Sequence, residues 1–237
     1  MILIGSPAWG CRSVAEDRQL TLGIDTSTQV QVGVADGAQV LASRTFDDPR
    51  RHVEQLAPLV RDTVAELGVD LSRFTRIVVG VGPGPYTGLR VGIATARVLG
   101  QVLGIDVRGV CSLDVIAAQW VRSDHPPQEP FMIITDARRQ ELYWAGYQAD
   151  GSRSSGPHVG KPETLARQST PVGGPGTLVR PEFEAAEGAP TRLDAGVLAA
   201  AGSQLAAAGI EPLYLRNPDA APPGPRKSVL ARPRLLP

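Results

Sequence analysis

A basic excess is missing from this sequence: its 24 Lys and Arg are matched by 24 Asp and Glu, for a formal net charge of zero. A protein that grips nucleic acid by itself usually carries a basic excess or stripe. The balance argues against a self-sufficient nucleic-acid binder, though not against a subunit of one. Cysteine is scarce as well. Cys11 and Cys111 are the two present, and neither sits in a CxxC pair, which counts against a structural zinc site. Two reduced thiols in a cytoplasmic protein are the expectation, with a disulfide left open. No stretch approaches the ~20 apolar residues that span a bilayer. Met1-Ile2-Leu3-Ile4 is apolar but short, with no basic run before it, so no signal peptide is expected.

What is present is 237 residues, 42% of them hydrophobic, enough for two lobes of roughly 100 residues each. Residues 1–20 show no period and read as a leader. Order begins with a strand at Leu20-Thr21-Leu22-Gly23-Ile24. Val30, Val32 and Val34 alternate with Gln31 and Gly33, the period-two pattern of a half-buried strand. Asp36-Gly37 suits a tight turn, and Val40 to Arg44 returns as a third antiparallel strand. From Pro49 to Leu67 the period lengthens. Val53, Leu56, Val60, Val64 and Leu67 give one apolar helical face, with a kink expected at Pro58 and a stop at Gly68. Ile77 to Val81 reads as a strand buried on both faces. A glycine-proline loop, a helix over about 88–103 and a strand over 105–110 follow. Hairpins followed by βα crossovers predict an α/β fold, a mixed sheet flanked by helices.

Ser112 is placed to cap a helix running to about Val121. Beyond Pro126-Pro127, a strand ends at Ile134-Thr135-Asp136, a second covers Leu142 to Tyr147, and Asp150-Gly151 turns the chain. That order echoes Gly23-Ile24-Asp25, the next strand and Asp36-Gly37, and it predicts two structurally related lobes, 21–111 and 112–216. Residues 151–193 are rich in Gly, Pro and Ser and resist assignment, apart from a short strand and turn near Pro171 to Gly176. Asp194 to Ala208 reads as a helix, and Pro212 to Arg216 as a compact closing segment. Residues 217–237 are Pro-rich, basic at the end, and expected to be a flexible tail.

The loop Gly82-Pro83-Gly84-Pro85 leaves a strand and opens a helix. That geometry aims backbone N–H groups at the positive end of a helix dipole, where an anion can sit. Gly82, Gly84, Tyr86, Thr87, Gly88 and Arg90 are the candidate nucleotide or interface residues. Generic signatures do not fit: no lysine follows as in a Walker loop, and the glycines do not continue into GxGxxG. A tight turn without ligand is the alternative.

The longer string from Gly82 to Gly92, GPGPYTGLRVG, closely resembles the signature of the TsaB family. Ile24-Asp25-Thr26-Ser27, His52 to Leu56, Gly109 to Leu113, Thr135 to Tyr143 and Pro212 to Ala220 resemble other landmarks of that family. The resemblance spans about residues 21–220. It implies a two-lobed, actin-like ATPase (ASKHA) superfold with a reduced second lobe. It also implies a non-catalytic partner of the subunit TsaD, with TsaE, in transferring threonylcarbamoyl to an adenosine beside the tRNA anticodon. tRNA would be met only through the complex, no cofactor would be intrinsic, and ATP or ADP would sit at most at the complex interface. TsaD holds its metal partly with two histidines four apart. Here the histidines are His52, His125 and His158, and no such pair exists, so neither a metal site nor a catalytic site is expected. In the family, the first helix and the one after the glycine loop meet TsaD. The implied contacts are His52, Glu54, Leu56, Val60, Arg90, Ile93 and Arg97, and the same surface predicts a homodimer when the chain is alone.

Asp25 and Asp136 follow strand ends where catalytic members of the superfold bind metal and phosphate. Turn or cap duty is expected for both here. His52 and Glu54 stand two apart, off a common helical face, and make a poor acid–base pair. The competing readings are an autonomous ATP-binding and hydrolysing protein and, last, a peptidase, for which no nucleophile–base pair is visible.

Overall fold

The computed structural model describes residues 19–46, 54–165 and 170–216. Most of the leader, His52, Cys11 and the tail from 217 lie outside them. Strands β1 (Leu20–Asp25), β2 (Val30–Asp36) and β3 (Gln39–Phe46) form the expected antiparallel meander. Gly37 takes a φ of +56° at the β2–β3 turn, which glycine adopts without a Cβ clash. β4 (Phe74–Gly80) runs parallel to β1, and β5 (Asp106–Val110) runs parallel to β4. The sheet order is β3-β2-β1-β4-β5.

The sequence reading of β2 as half-buried is corrected: every residue of it but Asp36 is closely covered. Val30, Val32 and Val34 face helices α1 (Leu56–Glu66) and α2 (Tyr86–Leu103), joining Leu22, Ile24, Ile77 and Val79 in one core. Gln31 and Gly33 look polar and exposed in sequence. They lie instead under α4 (Ala195–Ala201), which closes the opposite face. The approach is close enough that a Cβ on Gly33 would stand 2.1 Å from the Ala195 carbonyl.

Pro58 does not kink α1. It is the third residue of the helix, and the first backbone bond is donated by Leu59 N to Gln55 O at 2.9 Å. A proline in the first turn removes a donor that has no partner there anyway. Gly68 (φ +63°) and Gly104 (φ +67°) end α1 and α2 as expected, by the left-handed route.

Helix α3 (Ser112–Val121) begins where expected, but Ser112 is not its cap. Cys111 holds that position without a side-chain bond, and the Ser112 hydroxyl is directed elsewhere. Around α3 a second core gathers Trp120, Phe131 and Tyr147, with ring centroids 4.7 and 5.4 Å apart. The second sheet holds β6 (Phe131–Asp136), β7 (Leu142–Tyr147), β8 (Arg153–Gly160) and the short β9 (Val172–Gly173). Its order, β8-β7-β6-β9, repeats β3-β2-β1-β4 with the same antiparallel and parallel pairings. This is the two-lobed, actin-like arrangement expected, with the second lobe reduced. β8 was not assigned from sequence because it is a largely exposed edge, where Pro157 is tolerated and no apolar alternation marks it.

α4 is shorter than its alanine run suggested. Asp194 caps it by accepting from Gly196 N, and after Ala201 the chain leaves to meet the edge of β5, with Ala208 N donating to Gly109 O at 2.9 Å. None of the described helices is long and apolar enough to cross a membrane.

Candidate functional site

The glycine-proline loop is built from inside. Val81 N donates to Val110 O at 2.9 Å, and Ser112 N donates to Gly82 O at 2.8 Å. Gly82 N donates in turn to the Ser112 Oγ at 3.1 Å. That hydroxyl donates a hydrogen bond to Asp25 Oδ2 at 2.6 Å. Asp25 Oδ1 accepts from Ser27 N at 2.8 Å and from Ser27 Oγ at 2.6 Å. Asp25 is fully buried, and burial pushes its carboxyl above the ordinary 3.8 despite the serine donors that pull the other way. The network ties β1, the loop and the start of α3 together at one point. Asp25 therefore combines a turn role, through Ser27, with a bracing role that its position at a strand end did not reveal. Asp136 is exposed and accepts from Arg138 N at 3.0 Å, an ordinary turn bond.

The space opened by the loop glycines is filled by the protein itself. A Cβ on Gly84 would meet Ser27 O at 2.6 Å, one on Gly88 would meet Thr26 O at 2.7 Å, and one on Gly80 would meet Asp25 Oδ2 at 1.7 Å. Thr26 Oγ1 donates to Gly88 O at 2.8 Å. The glycines thus admit the Thr26–Ser27 segment of the protein itself. Among them Thr87 lines a cavity of about 180 Å³ with Thr26, Thr28, Pro85, Gly88 and Arg138. Arg138, Arg139 and Gln140 beside it all have positive φ, a conformation that costs non-glycine residues energy.

The remaining candidates divide by burial. Leu56, Val60 and Ile93 are 1%, 4% and 3% exposed. They are corrected from exposed contact residues to core residues, since the apolar face of each helix turns to the sheet, although Val60 also reaches the groove between the two helices. Glu54, Arg90 and Arg97 are exposed, and His52 lies outside the described residues. Arg90 Nε donates to Tyr214 Oη at 3.0 Å, and its guanidinium carbon lies 3.9 Å over the Tyr86 ring. Tyr86 and Tyr214 stack with centroids 4.6 Å apart. Arg97 pairs with Glu211. Val98 (59% exposed) and Val102 (76%) extend the outer face of α2, one turn apart. Between α1 and α2 runs a groove of about 360 Å³ lined by Ala57, Val60, Val64, Thr95 and Leu99 among others. Sequence reasoning gave no role to Ser27 or Tyr214 and gave Ser112 only a helix cap. Their signal was present in the family landmarks, without a pattern to say what each touches.

A family model described as TsaD: tRNA N6-adenosine threonylcarbamoyltransferase matches residues 39–192, well over half the chain. An uncharacterized protein of Mycobacterium leprae is 39% identical over 218 residues, which are 86% of this chain and 56% of that one. The tRNA threonylcarbamoyladenosine biosynthesis protein TsaB of Escherichia coli is 32% identical over 130 residues, 54% of this chain and 55% of that one. The chain therefore spans about half the length of these two relatives. Among solved structures, a Pseudomonas aeruginosa protein described as similar to the peptidase YeaZ superposes with a TM-score of 0.66 at 28% identity. That match covers 84% of this chain and all of the other.

The chain belongs to this family as a TsaB (YeaZ) member.

The matched model is described by the transferase TsaD, while the E. coli relative is described as TsaB. Ser27 and Ser112, the hydroxyls nearest Asp25, are 4% and 2% exposed and donate hydrogen bonds to that carboxyl group. Of the described histidines, His125 lies 3.9 Å from Glu187, and His158 packs on Trp144.

Proposed function

We propose that this chain takes part in the biosynthesis of threonylcarbamoyladenosine on tRNA as a non-catalytic subunit, supporting a TsaD-like catalytic subunit through the outer face of α2 and the α1–α2 groove. The observation that carries this reading is the state of Asp25. The strand-end acid that would meet metal or phosphate in a catalytic member is dry, and Ser27 and Ser112 occupy both of its oxygens. A carboxylate used this way braces the loop and has no access to substrate. The face of α2 offers what an interface uses: exposed Val98 and Val102 on the helix that carries Tyr86, Arg90 and Arg97. A TsaE-like ATPase, tRNA reached through the assembled complex, nucleotide held at its interface and a homodimer in the partner's absence complete the proposal.

The test is co-purification with the TsaD-like subunit of the same organism. The wild-type chain is expected to form a stable complex. Arg90→Glu and Val98→Asp are expected to lose it while melting like the wild type. Wild-type chain that never associates with that subunit would sink the proposal.

A second reading, an autonomous ATP-binding protein, draws on the cavity at the start of α2, with Thr26, Thr87 and Arg138 in its wall. Its volume of about 180 Å³ falls below the roughly 300 Å³ at which ligand pockets begin. Calorimetry with ATP and magnesium decides. Tight binding abolished by Gly84→Arg would favour this reading over the first.

A further inference from the structure

The closing segment from Glu211 to Arg216 lies across the outer face of α2 and is fastened at both ends. Leu213 N donates to Val81 O at 2.8 Å, at the mouth of the glycine loop. Arg216 reaches the second lobe, where NH1 donates to Ala137 O at 2.7 Å and Nε pairs with Glu141 at 3.2 Å. Between these anchors Tyr214 stacks on Tyr86, and its hydroxyl accepts from Arg90 Nε. The cluster stays partly at the surface: Tyr86 is 43% exposed and Tyr214 38%. Fixing a long arginine and two tyrosines there costs side-chain entropy and leaves a large part of both rings uncovered. Such ordering is repaid on association, because the group is already set when the partner arrives.

Charge sharpens the point. Arg97 is neutralised by Glu211 of the same segment. Arg90 is held by a phenol and an aromatic face, so it keeps its full positive charge. The hydroxyl takes one of five guanidinium N–H donors, and a planar fork suits a carboxylate. Resting on the proposed function of the α2 face, we infer that Tyr214 is a positioning residue that presents Arg90 to an acidic side chain of the TsaD-like subunit.

The experiment is titration calorimetry of the full chain with that subunit at low and high salt, with thermal melting of each variant as a control on folding. Arg90→Ala is expected to weaken binding about fivefold at low salt, the upper range for an exposed ion pair, and to flatten the salt dependence. Tyr214→Ala is expected to do the same, and the double variant to bind no more weakly than Arg90→Ala alone, because the two residues act as one unit. Tyr214→Phe keeps the ring and loses the hydroxyl, and is expected to fall between. Unchanged binding by Tyr214→Ala, or losses that add in the double variant, would overturn the inference while leaving the proposed function standing. So would a Tyr214→Ala variant that binds the subunit normally and loses tRNA from the complex. If Tyr214→Ala melts early, Tyr214→Phe decides by the same criterion. A wild-type chain that does not bind the subunit at all overturns the proposed function and this inference with it.

Discussion

Asp25 sits in a dry site with three hydrogen-bond donors on its two oxygens. Removing it strands two buried hydroxyls and the Ser27 amide. Asp25→Ala is therefore expected to cost about 4 kcal/mol, since each buried donor left unpaired costs 1–3. Asp25→Asn should cost far less, because the serine hydroxyls can turn to meet an amide. Urea titration of the two variants checks the order. The same residue leaves a mark on pH dependence. Its native pKa is raised above the ordinary 3.8 by burial, so the folded chain holds this proton more tightly than the unfolded one. Its contribution to stability is accordingly greatest below about pH 4 and declines as the pH rises from there through the native value. The stability difference between wild type and Asp25→Asn should fall over that window. A difference that stays flat, or rises, would contradict a carboxyl on which burial outweighs the serine donors.

At the scale of elements, α4 sets the second face of the first sheet, and it can do so only because Gly23 and Gly33 lack side chains. A Cβ at Gly23 would lie 2.5 Å from Ala195 O, and one at Gly33 would be closer still. Gly33→Ala is expected to lower stability by about 2 kcal/mol, in the range of overpacking penalties. A urea midpoint within error of wild type would mean that α4 does not rest there. This contact also marks the limit of what sequence could tell. Val30, Val32 and Val34 announced a strand by period, but nothing local says that Gln31 and Gly33 face a helix drawn from 160 residues later. Pro58 misled for a similar reason: a kink was read from a helix start that the chain does not use within the described residues. The antiparallel meander, β4, α2 and the paired turn glycines were legible because each is encoded by neighbours. β8 was not, because an exposed edge needs no apolar pattern. The glycine loop was legible as a landmark, but the neighbours its glycines make room for, Thr26 and Ser27, are brought near only by the folded chain.

The whole molecule is one strand order used twice, β3-β2-β1-β4 and β8-β7-β6-β9. Asp25 and Asp136 stand at matching ends. One is sealed into the brace behind the loop, and the other serves a surface turn. Among the described residues, Tyr86, Arg90 and Arg97 of α2 meet the segment that crosses it. The proposed function makes the chain a supporting surface for a catalytic subunit, a claim that reconstitution addresses most directly. Unmodified tRNA, threonylcarbamoyl-adenylate and the TsaD-like subunit would be incubated with and without this chain, and the nucleosides then resolved by mass spectrometry. The modified adenosine is expected only when both proteins are present, and is expected to persist with Asp25→Asn. Modified adenosine formed by this chain in the absence of the TsaD-like subunit would contradict the account.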